Sequence, residues 1–153
     1  MQIEKMAVHE LHRLTELFEY NNVEQMISEC TRDIQKGMID IFVLYENDVL
    51  VGELHVKYES DDENYAVRGR RAYMFAFRVR EEFRNKGYGT YLLKEVLGIL
   101  MEEGYCEFTV GVEDDNSRAI HMYQAMGFTE FVLRQQEEYQ GDAYEYNLYL
   151  KRQ

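Results

Sequence analysis

Two short patterns contain the residues best suited to chemistry. The first is R-x-x-G-x-G, formed by Arg84, Gly87 and Gly89 in the segment EEFRNKGYG. Glycine lets a backbone approach a ligand closely, and the free N–H groups at the start of a helix attract anions. Arg84 and Lys86 would add ionic contacts. The segment is neither a P-loop nor a G-x-G-x-x-G fingerprint, so it indicates either an anion site or simply a tight turn before a helix.

The second pattern is N-x-x-A-x-x-x-Y, formed by Asn116, Ala119 and Tyr123. Asparagine is a preferred N-cap, which suits Asn116 to the first position of a helix. Tyr123 lies seven residues further on, two helical turns down the same face. Taken separately, Asn116 is a helix cap and Tyr123 is a half-buried core aromatic residue.

The spacing of apolar residues predicts the elements that position both patterns. Two amphipathic helices are expected over 8–18 and 23–34, followed by two strands within 41–58 that meet at a turn over 46–48. An aromatic-rich strand over 72–79 leads to a long helix over 87–103. A strand over 107–112, a helix over 117–126 and two final strands over 129–134 and 142–150 follow. The order is ααβββαβαββ, with an optional short strand at 3–6. This order predicts a partly antiparallel sheet covered by helices.

Together, in this order and about 30 residues apart, the two patterns resemble those of the GNAT superfamily of acetyl-CoA-dependent N-acetyltransferases. The resemblance covers roughly residues 72–128 and is that of a small, single-domain, bacterial-type member. It implies an α+β fold with a central mixed, mostly antiparallel twisted sheet of six to seven strands flanked by about four helices. It also implies acetyl-CoA as cofactor and no metal.

The same resemblance implies roles for individual residues. The 84–89 turn would wrap the pyrophosphate of coenzyme A, and the backbone of 77–79 would pair with the pantetheine arm and supply the oxyanion donor. Asn116 would contact the cofactor arm, and Tyr123 would protonate the departing thiolate. The expected cofactor-binding residues are Phe77, Arg78, Val79, Arg84, Asn85, Lys86, Gly87, Tyr88, Gly89, Thr90, Asn116, Ala119 and Tyr123.

The general base is the part of the site that the sequence leaves open. Many members of the family carry a carboxylate in the strand before the turn, but AYMFAFRV has none. Glu53 and Glu113 are therefore the candidate bases, acting through water, and they complete the predicted catalytic set with Tyr123. His55 lies close to Glu53 on the same predicted strand.

Composition restricts the class of protein and its partners. The 153 residues predict one domain over 1–153, and the net charge of −12 disfavours nucleic-acid binding. No apolar run suits a membrane helix, no leader pattern opens the chain, and the two cysteines suit a reducing compartment, so a cytoplasmic protein with no membrane partner is expected. Acid-rich segments would attract cations; they comprise Glu59, Asp61, Asp62, Glu63, Glu113, Asp114, Asp115, Glu137 and Glu138.

The expected function is direct transfer of the acetyl group of acetyl-CoA to a primary amine of a small cationic acceptor, polyamine-like or aminoglycoside-like. Two alternatives stay open: a protein or peptide N-acetyltransferase, and a non-catalytic CoA-binding regulatory module. The expected partner is a small-molecule amine, and a homodimer is a further option.

Overall fold

A single seven-stranded sheet organises the chain, and the computed structural model describes all residues 1–153. The strand order across the sheet is β1-β2-β3-β4-β5-β7-β6, and every neighbouring pair is antiparallel except β4 and β5. The strands are β1 (Gln2–Lys5), β2 (Ile39–Glu46), β3 (Val49–Lys57), β4 (Arg71–Val79), β5 (Glu107–Val112), β6 (Glu130–Tyr139) and β7 (Asp142–Arg152). The helices are a 3₁₀ helix (Val8–Glu16), α1 (Val23–Gln35), a 3₁₀ turn (Glu81–Phe83), α2 (Tyr88–Glu102) and α3 (Ser117–Ala125). The predicted α+β, mostly antiparallel fold is confirmed.

The sheet is covered on both faces because its inner strands are apolar on both sides. In β2, Phe42 and Leu44 pack into the cluster formed with α2 and α3, whereas Ile41 and Val43 pack with α1 and the 3₁₀ helix. Successive side chains of a strand point to opposite faces, so a continuous apolar run supplies two cores.

Helix α2 carries the largest apolar face among the helices. Its buried residues are Leu92, Leu93, Val96, Leu97 and Leu100, the same residues whose spacing predicts the helix. At roughly 1.5–3 kcal/mol per buried aliphatic side chain, this face contributes on the order of 10 kcal/mol to folding. No helix of the structure combines the length and apolarity needed to cross a bilayer.

The first predicted helix differs in kind from the expectation. Val8–Glu16 is a 3₁₀ helix, and Phe18 lies beyond its end. Val8, Leu11 and Leu14 recur every three residues, which matches the three residues per turn of a 3₁₀ helix better than the 3.6 of an α-helix. Leaving the helix early frees Phe18 to pack against Arg78 on β4, with the guanidinium carbon 3.7 Å from the ring centroid.

The hairpin of β6 and β7 is longer than the sequence indicates. The predicted strand 129–134 extends to Tyr139, and the chain reverses at Gln140 and Gly141, with φ of 52° and 88°. Two consecutive positive φ values are typical of the two-residue turns of hairpins. β6 is an edge strand exposed along most of its length, so its second half lacks the apolar alternation that predicts strands.

A β-bulge in β4 opens the sheet. Glu53 pairs with Arg78 and His55 pairs with Phe75, so Ala76 and Phe77 both lie opposite Leu54. Ala76 has φ of 47°, a left-handed conformation that is uncommon for alanine. The pairing of β4 with β5 covers only Arg71–Met74, and the two strands separate after the bulge.

Candidate functional site

The separated strands leave one edge of β4 without a partner strand. Residues 75–79 lie beside β3 on one side, but none of them pairs with β5 on the other. The carbonyl of Val79 accepts a hydrogen bond from Arg84 Nε at 2.8 Å. An extended ligand with amide groups can form backbone hydrogen bonds along such an edge.

The turn between β4 and α2 presents a run of free backbone donors. Asn85 and Gly87 are both left-handed, with φ of 62° and 87°. No backbone N–H from Asn85 to Thr90 has a partner within the protein, and the first bonded N–H of α2 is that of Tyr91, to Gly87 O at 3.0 Å. Left-handed turns and helix starts of this kind bind anions.

The space around this turn also suits an anionic cofactor. A Cβ atom on Gly87 would meet nothing within 4 Å, so the outer side of the turn is open. A Cβ on Gly89 would lie 3.5 Å from Phe77 and 3.4 Å from Val79, which shows how closely the first turn of α2 packs on β4. With Lys86 exposed beside the free N–H groups, these residues fit the pyrophosphate of coenzyme A.

The start of α3 faces the same turn. Asn116 is the N-cap, as predicted, and its Oδ1 accepts the N–H of Ala119 at 3.2 Å. Arg118, in the first turn of α3, donates a hydrogen bond to Asn85 Oδ1. This contact joins the starts of α2 and α3 and adds a cation beside the free N–H groups. The sequence patterns do not single out Arg118, although its place two residues after the cap is a usable signal.

Tyr123 lies in the core beneath this region. It is 8% exposed, and its ring packs edge-on against Phe128 with centroids 5.6 Å apart. Its hydroxyl makes no hydrogen bond within the protein, and burial raises its pKa above the ordinary value of 10. The phenol therefore stays protonated at neutral pH, as a proton donor must. Its role as the acid is still a prediction.

The two candidate bases lie in different environments. Glu113 is exposed in the loop after β5 and forms no ion pair. Glu53 is fully buried on β3, with Oε1 2.6 Å from His55 Nε2 and 3.6 Å from Arg78 Nη1. Its other oxygen, Oε2, is the one buried side-chain polar atom in the structure that has no hydrogen-bond partner.

Each acid-rich segment includes at least one residue that forms contacts within the protein. Glu59 pairs with Arg68 at 3.0 Å, and Glu137 accepts hydrogen bonds from two tyrosine hydroxyls of β7. Asp114 accepts hydrogen bonds from Arg134 at 2.7 Å and from an asparagine of β7 at 2.6 Å. The bond from Arg134 holds the pKa of Asp114 below its ordinary value. Of the predicted acidic residues, Glu138 lines the cleft described next.

A cleft of about 380 Å³ lies between the start of α1 and the tip of the β6–β7 hairpin. We call it the acidic cleft; its lining includes Tyr20, Glu29, Glu138 and Tyr139. Gln140 closes one end, since its Oε1 accepts the N–H of Asn21 at 2.8 Å and its Nε2 donates to Glu19 O at 3.3 Å. Of the lining residues, the predicted acid-rich segments include Glu138 alone. The two walls are more than a hundred residues apart in the chain, so local patterns do not connect them.

Arg78 connects the acidic cleft with Glu53. Its Nη1 donates to the hydroxyl of Tyr20 at 3.1 Å, and the same nitrogen is 3.6 Å from Glu53 Oε1. The structure therefore brings together the β4 edge, Glu53 and the acidic cleft on one side, and the 84–90 turn, Asn116 and Arg118 on the other. Glu113 belongs to neither group of contacts.

Comparison with known proteins identifies relatives of this chain. A family model described as the acetyltransferase (GNAT) family matches residues 2–128. The bovine thialysine N-epsilon-acetyltransferase is 32% identical over 60 residues, 39% of this chain and 35% of that protein, so the match spans about a third of the relative's length. The Schizosaccharomyces pombe N-alpha-acetyltransferase 30 is 28% identical over 109 residues, 71% of this chain and 70% of that protein.

Solved structures share the fold at low sequence identity. The ribosomal-protein-alanine N-acetyltransferase of Brucella melitensis superposes with a TM-score of 0.75 at 15% identity, covering 100% of both chains. The Salmonella typhimurium protein yncA, solved with its cofactor acetyl-CoA, superposes with a TM-score of 0.71 at 16% identity, covering 99% of this chain and 92% of that one. A point mutant of the Vibrio cholerae spermidine N-acetyltransferase SpeG superposes with a TM-score of 0.75 at 15% identity, covering 99% of this chain and 95% of that one.

These comparisons confirm the family that the two sequence patterns resemble, a family of acyltransferases that use acetyl-CoA. The matched region, residues 2–128, includes β4, the 84–90 turn, Asn116 and Tyr123. The chain belongs to the acetyltransferase (GNAT) family.

Proposed function

We propose that this protein transfers the acetyl group of acetyl-CoA to a primary amine of a small cationic acceptor. Acetyl-CoA supplies an activated thioester. The ammonium first loses one proton, and the free amine nitrogen then forms a bond to the acetyl carbon as the carbon–sulfur bond breaks. The nitrogen loses a second proton as the amide forms and one proton is added to sulfur, so one proton is released overall. The free N–H groups from Asn85 to Thr90, with Lys86 and Arg118, would bind the pyrophosphate, and the open edge of β4 would align the pantetheine arm.

The observation that carries this proposal is the unpartnered oxygen of Glu53. A buried acceptor without a hydrogen bond costs about 1–3 kcal/mol, so its persistence in a carboxylate next to Arg78 of β4 suits a ligand donor. An alkylammonium has a pKa of about 10.4 and must lose a proton before it can attack. Glu53 Oε2, directly or through one water, would accept that proton, while Oε1 stays engaged with His55 and Arg78.

Tyr123 would act at the other end of the reaction. Its phenol is protonated, has no protein hydrogen-bond partner and is located on α3, two turns from Asn116. It would donate its proton to the sulfur as the thiolate leaves, which makes it the general acid. The deprotonated tyrosine is then reprotonated before the next turnover.

A small acceptor fits this chain better than a protein terminus. The similarity to N-alpha-acetyltransferase 30 and to the ribosomal-protein-alanine N-acetyltransferase makes a peptide amine the second candidate. A peptide needs an open groove, yet Gln140 bridges the hairpin tip to residues 19 and 21. The cleft that remains, about 380 Å³, has the size of a small-molecule site.

We also propose that the protein acts in the cytoplasm, on a soluble amine. Cys30 and Cys106 are both free thiols, and Cys106 is exposed. Exposed free thiols suit a reducing compartment.

The test is a panel of amines offered with acetyl-CoA, with thiol release as the measurement. Putrescine, an aminoglycoside and a short peptide with a free N-terminus represent the three acceptor classes. We expect transfer to the small cationic amines, and a loss of about 10²–10⁴ in turnover for Glu53→Gln. This loss should shrink as the pH approaches the pKa of the amine, because the free base then needs no acceptor for its proton.

Glu113→Gln is the matched control, since it removes the other candidate base from an exposed loop. It should keep wild-type turnover. Release of thiol with none of the amines, in a protein that binds acetyl-CoA, would establish a CoA-binding module instead. Preference for the peptide would establish the second candidate.

A further inference from the structure

The acidic cleft has the composition of a cation site. Two carboxylates, Glu29 and Glu138, and two tyrosines, Tyr20 and Tyr139, line it, and no lysine, arginine or histidine does. Its walls come from α1, the segment before it and the hairpin tip, so the cleft exists only in the folded protein.

Neither carboxylate is neutralised by the protein. Glu29 accepts one hydrogen bond, from Gln25 Nε2 at 2.9 Å, and Glu138 has no partner. Acids beside them in the sequence are engaged: Glu137 accepts two tyrosine hydroxyls, and Asp33 pairs with an arginine at 3.2 Å. Glu29 and Glu138 therefore place uncompensated negative charge on the lining of the cleft itself.

The aromatic walls favour a cation joined to an alkyl chain. Tyr20 and Tyr139 both lie close to Phe18, at ring-centroid distances of 4.9 Å and 6.2 Å. Phe18 is already covered by the guanidinium of Arg78, at 3.7 Å, so this aromatic group does hold a cation. Aromatic faces attract ammonium groups and pack against methylenes.

A second, independent observation comes from Glu53. Its Oε2 is fully buried and has no partner, and Arg78 contacts both this carboxylate and Tyr20 on the cleft wall. Burial, together with the charge of Glu53, raises the pKa of Tyr20. Negative charge is therefore available at two separate positions, one at the reacting end and one in the cleft.

We propose that the acidic cleft binds a second ammonium group of the acceptor, which makes the acceptor a linear aliphatic diamine or polyamine. The reacting amine would lie at Glu53, the alkyl chain along Tyr20 and Tyr139, and the distal ammonium between Glu29 and Glu138. This inference rests on the proposed function, because it assigns the acceptor of the same site. An amino sugar lacks the unbranched apolar spacer that this arrangement matches, and a peptide N-terminus is joined to a branched backbone rather than to such a spacer.

The kinetic test compares putrescine with butylamine, which has the same chain but one ammonium. Wild type should show a kcat/KM that is roughly tenfold higher, or more, for putrescine. In the double variant Glu29→Gln with Glu138→Gln this ratio should fall to about one, with kcat/KM for butylamine unchanged. The control, Glu24→Gln with Asp142→Asn, removes one exposed acid from the same helix and one from the same hairpin, outside the cleft, and should keep the wild-type ratio.

Calorimetric titration of putrescine into each protein, without acetyl transfer, separates the two proposals. Binding by wild type and loss of binding in the double variant supports the cleft, even if no amine is acetylated and the proposed function fails. Equal kcat/KM for both amines, an unchanged ratio in the double variant, or no binding of putrescine overturns the inference. Thermal melting of each variant verifies that it is folded.

Discussion

At the scale of single residues, the site depends on polar atoms that the fold leaves unsatisfied. Glu53 Oε2 is buried without a partner, and the hydroxyl of Tyr123 makes no hydrogen bond although its ring is in the core. Most buried polar atoms in proteins have a hydrogen-bond partner, so an atom without one suggests an interaction with a bound ligand. Glu53 Oε2 is such an atom here, and the Tyr123 hydroxyl is a second polar group near the site without a protein partner. The two groups have opposite chemistry, since a carboxylate accepts a proton and a phenol donates one.

Removing the Tyr123 hydroxyl should reduce turnover without changing binding. Tyr123→Phe keeps the ring against Phe128 and breaks no protein hydrogen bond, so melting temperature and acetyl-CoA affinity should stay near wild type. Loss of the acid should lower kcat by about 10², the low end for general acids, because a thiolate is a fair leaving group. Steady-state kinetics beside calorimetry of acetyl-CoA measures both effects.

Tyr105→Phe is the control for that experiment. Tyr105 is 7% exposed, belongs to the same apolar cluster and also lacks a hydrogen bond through its hydroxyl. Its variant should keep full turnover. If Tyr123→Phe also turned over at the wild-type rate, Tyr123 would be a packing residue and another group would protonate the thiolate.

At the scale of elements, the bulge in β4 and the left-handed turn before α2 create the groove that we propose for the cofactor. The bulge separates β4 from β5, and the turn places consecutive N–H groups at the opening. The turn depends on the left-handed backbone conformation of Gly87 and not on a side chain at that position.

Replacing Gly87 should abolish cofactor binding. In Gly87→Val a β-branched residue meets φ of 87°, so the turn rearranges and the N–H groups no longer converge. A ligand at 100 times its dissociation constant stabilises the folded protein by about 2.7 kcal/mol, which raises its melting temperature. We expect this acetyl-CoA-dependent rise to disappear in Gly87→Val.

Gly37→Val is the matched control, because Gly37 also has positive φ, 71°, and open space around its Cβ position, but it follows the end of α1. It carries the same kind of backbone strain and should keep the full ligand-induced shift. A full shift in Gly87→Val would mean that the pyrophosphate binds elsewhere.

The β6–β7 hairpin should lose stability in acid. Hydrogen bonds from Arg134 and Arg152 lower the pKa of Asp114 and Glu130 respectively, so the unfolded chain binds protons more tightly than the folded one. The contribution of these groups is complete above the ordinary carboxyl pKa of about 4 and is lost as the pH falls through the lowered folded values. Melting temperature should therefore decrease between about pH 5 and pH 3.

Arg134→Gln should make this decrease less steep, because it removes the partner of both Asp114 and Glu145. Lys94→Gln, an exposed lysine of α2 without an ion pair, should leave the slope unchanged. The change will be small, since exposed pairs are screened by solvent. Parallel slopes for wild type and Arg134→Gln would show that these pairs do not contribute.

At the scale of the whole molecule, the net charge is negative, whereas the residues near the proposed pyrophosphate site are locally positive. The chain carries 29 acids against 17 bases, yet Arg84, Lys86 and Arg118 lie near the proposed pyrophosphate site. A negative surface concentrates cations at long range, whereas a polyanion depends on close contacts.

Raising the salt concentration should weaken acceptor use in proportion to acceptor charge. The screening length falls from about 30 Å at 0.01 M to about 8 Å at 0.15 M, so kcat/KM for putrescine should decline over this range. Butylamine, with one charge, should decline less. Initial rates at matched pH measure both slopes, and identical slopes would exclude a contribution of the protein's overall field.

The elements, the family and the turn over 84–89 can all be predicted from the sequence, because each depends on the spacing of residues close together in the chain. Helix α2 follows from its apolar positions, Asn116 from its place at a helix start, and the 84–89 turn from its two glycines. The 3₁₀ helix and the long β6 were missed in part, since the first has a period close to that of an α-helix and the second is exposed along most of its length.

The environment of each candidate carboxylate, in contrast, depends on tertiary contacts. The sequence offers Glu53 and Glu113 equally as candidate bases. In the structure Glu53 is buried on β3 beside Arg78, whereas Glu113 is exposed in a loop. The acidic cleft joins residues that are more than a hundred positions apart, through the contact of Gln140 with Asn21. The partners of a charge depend on which strands and loops meet, and that is set by packing across the whole sheet rather than by the residues next to it in the chain.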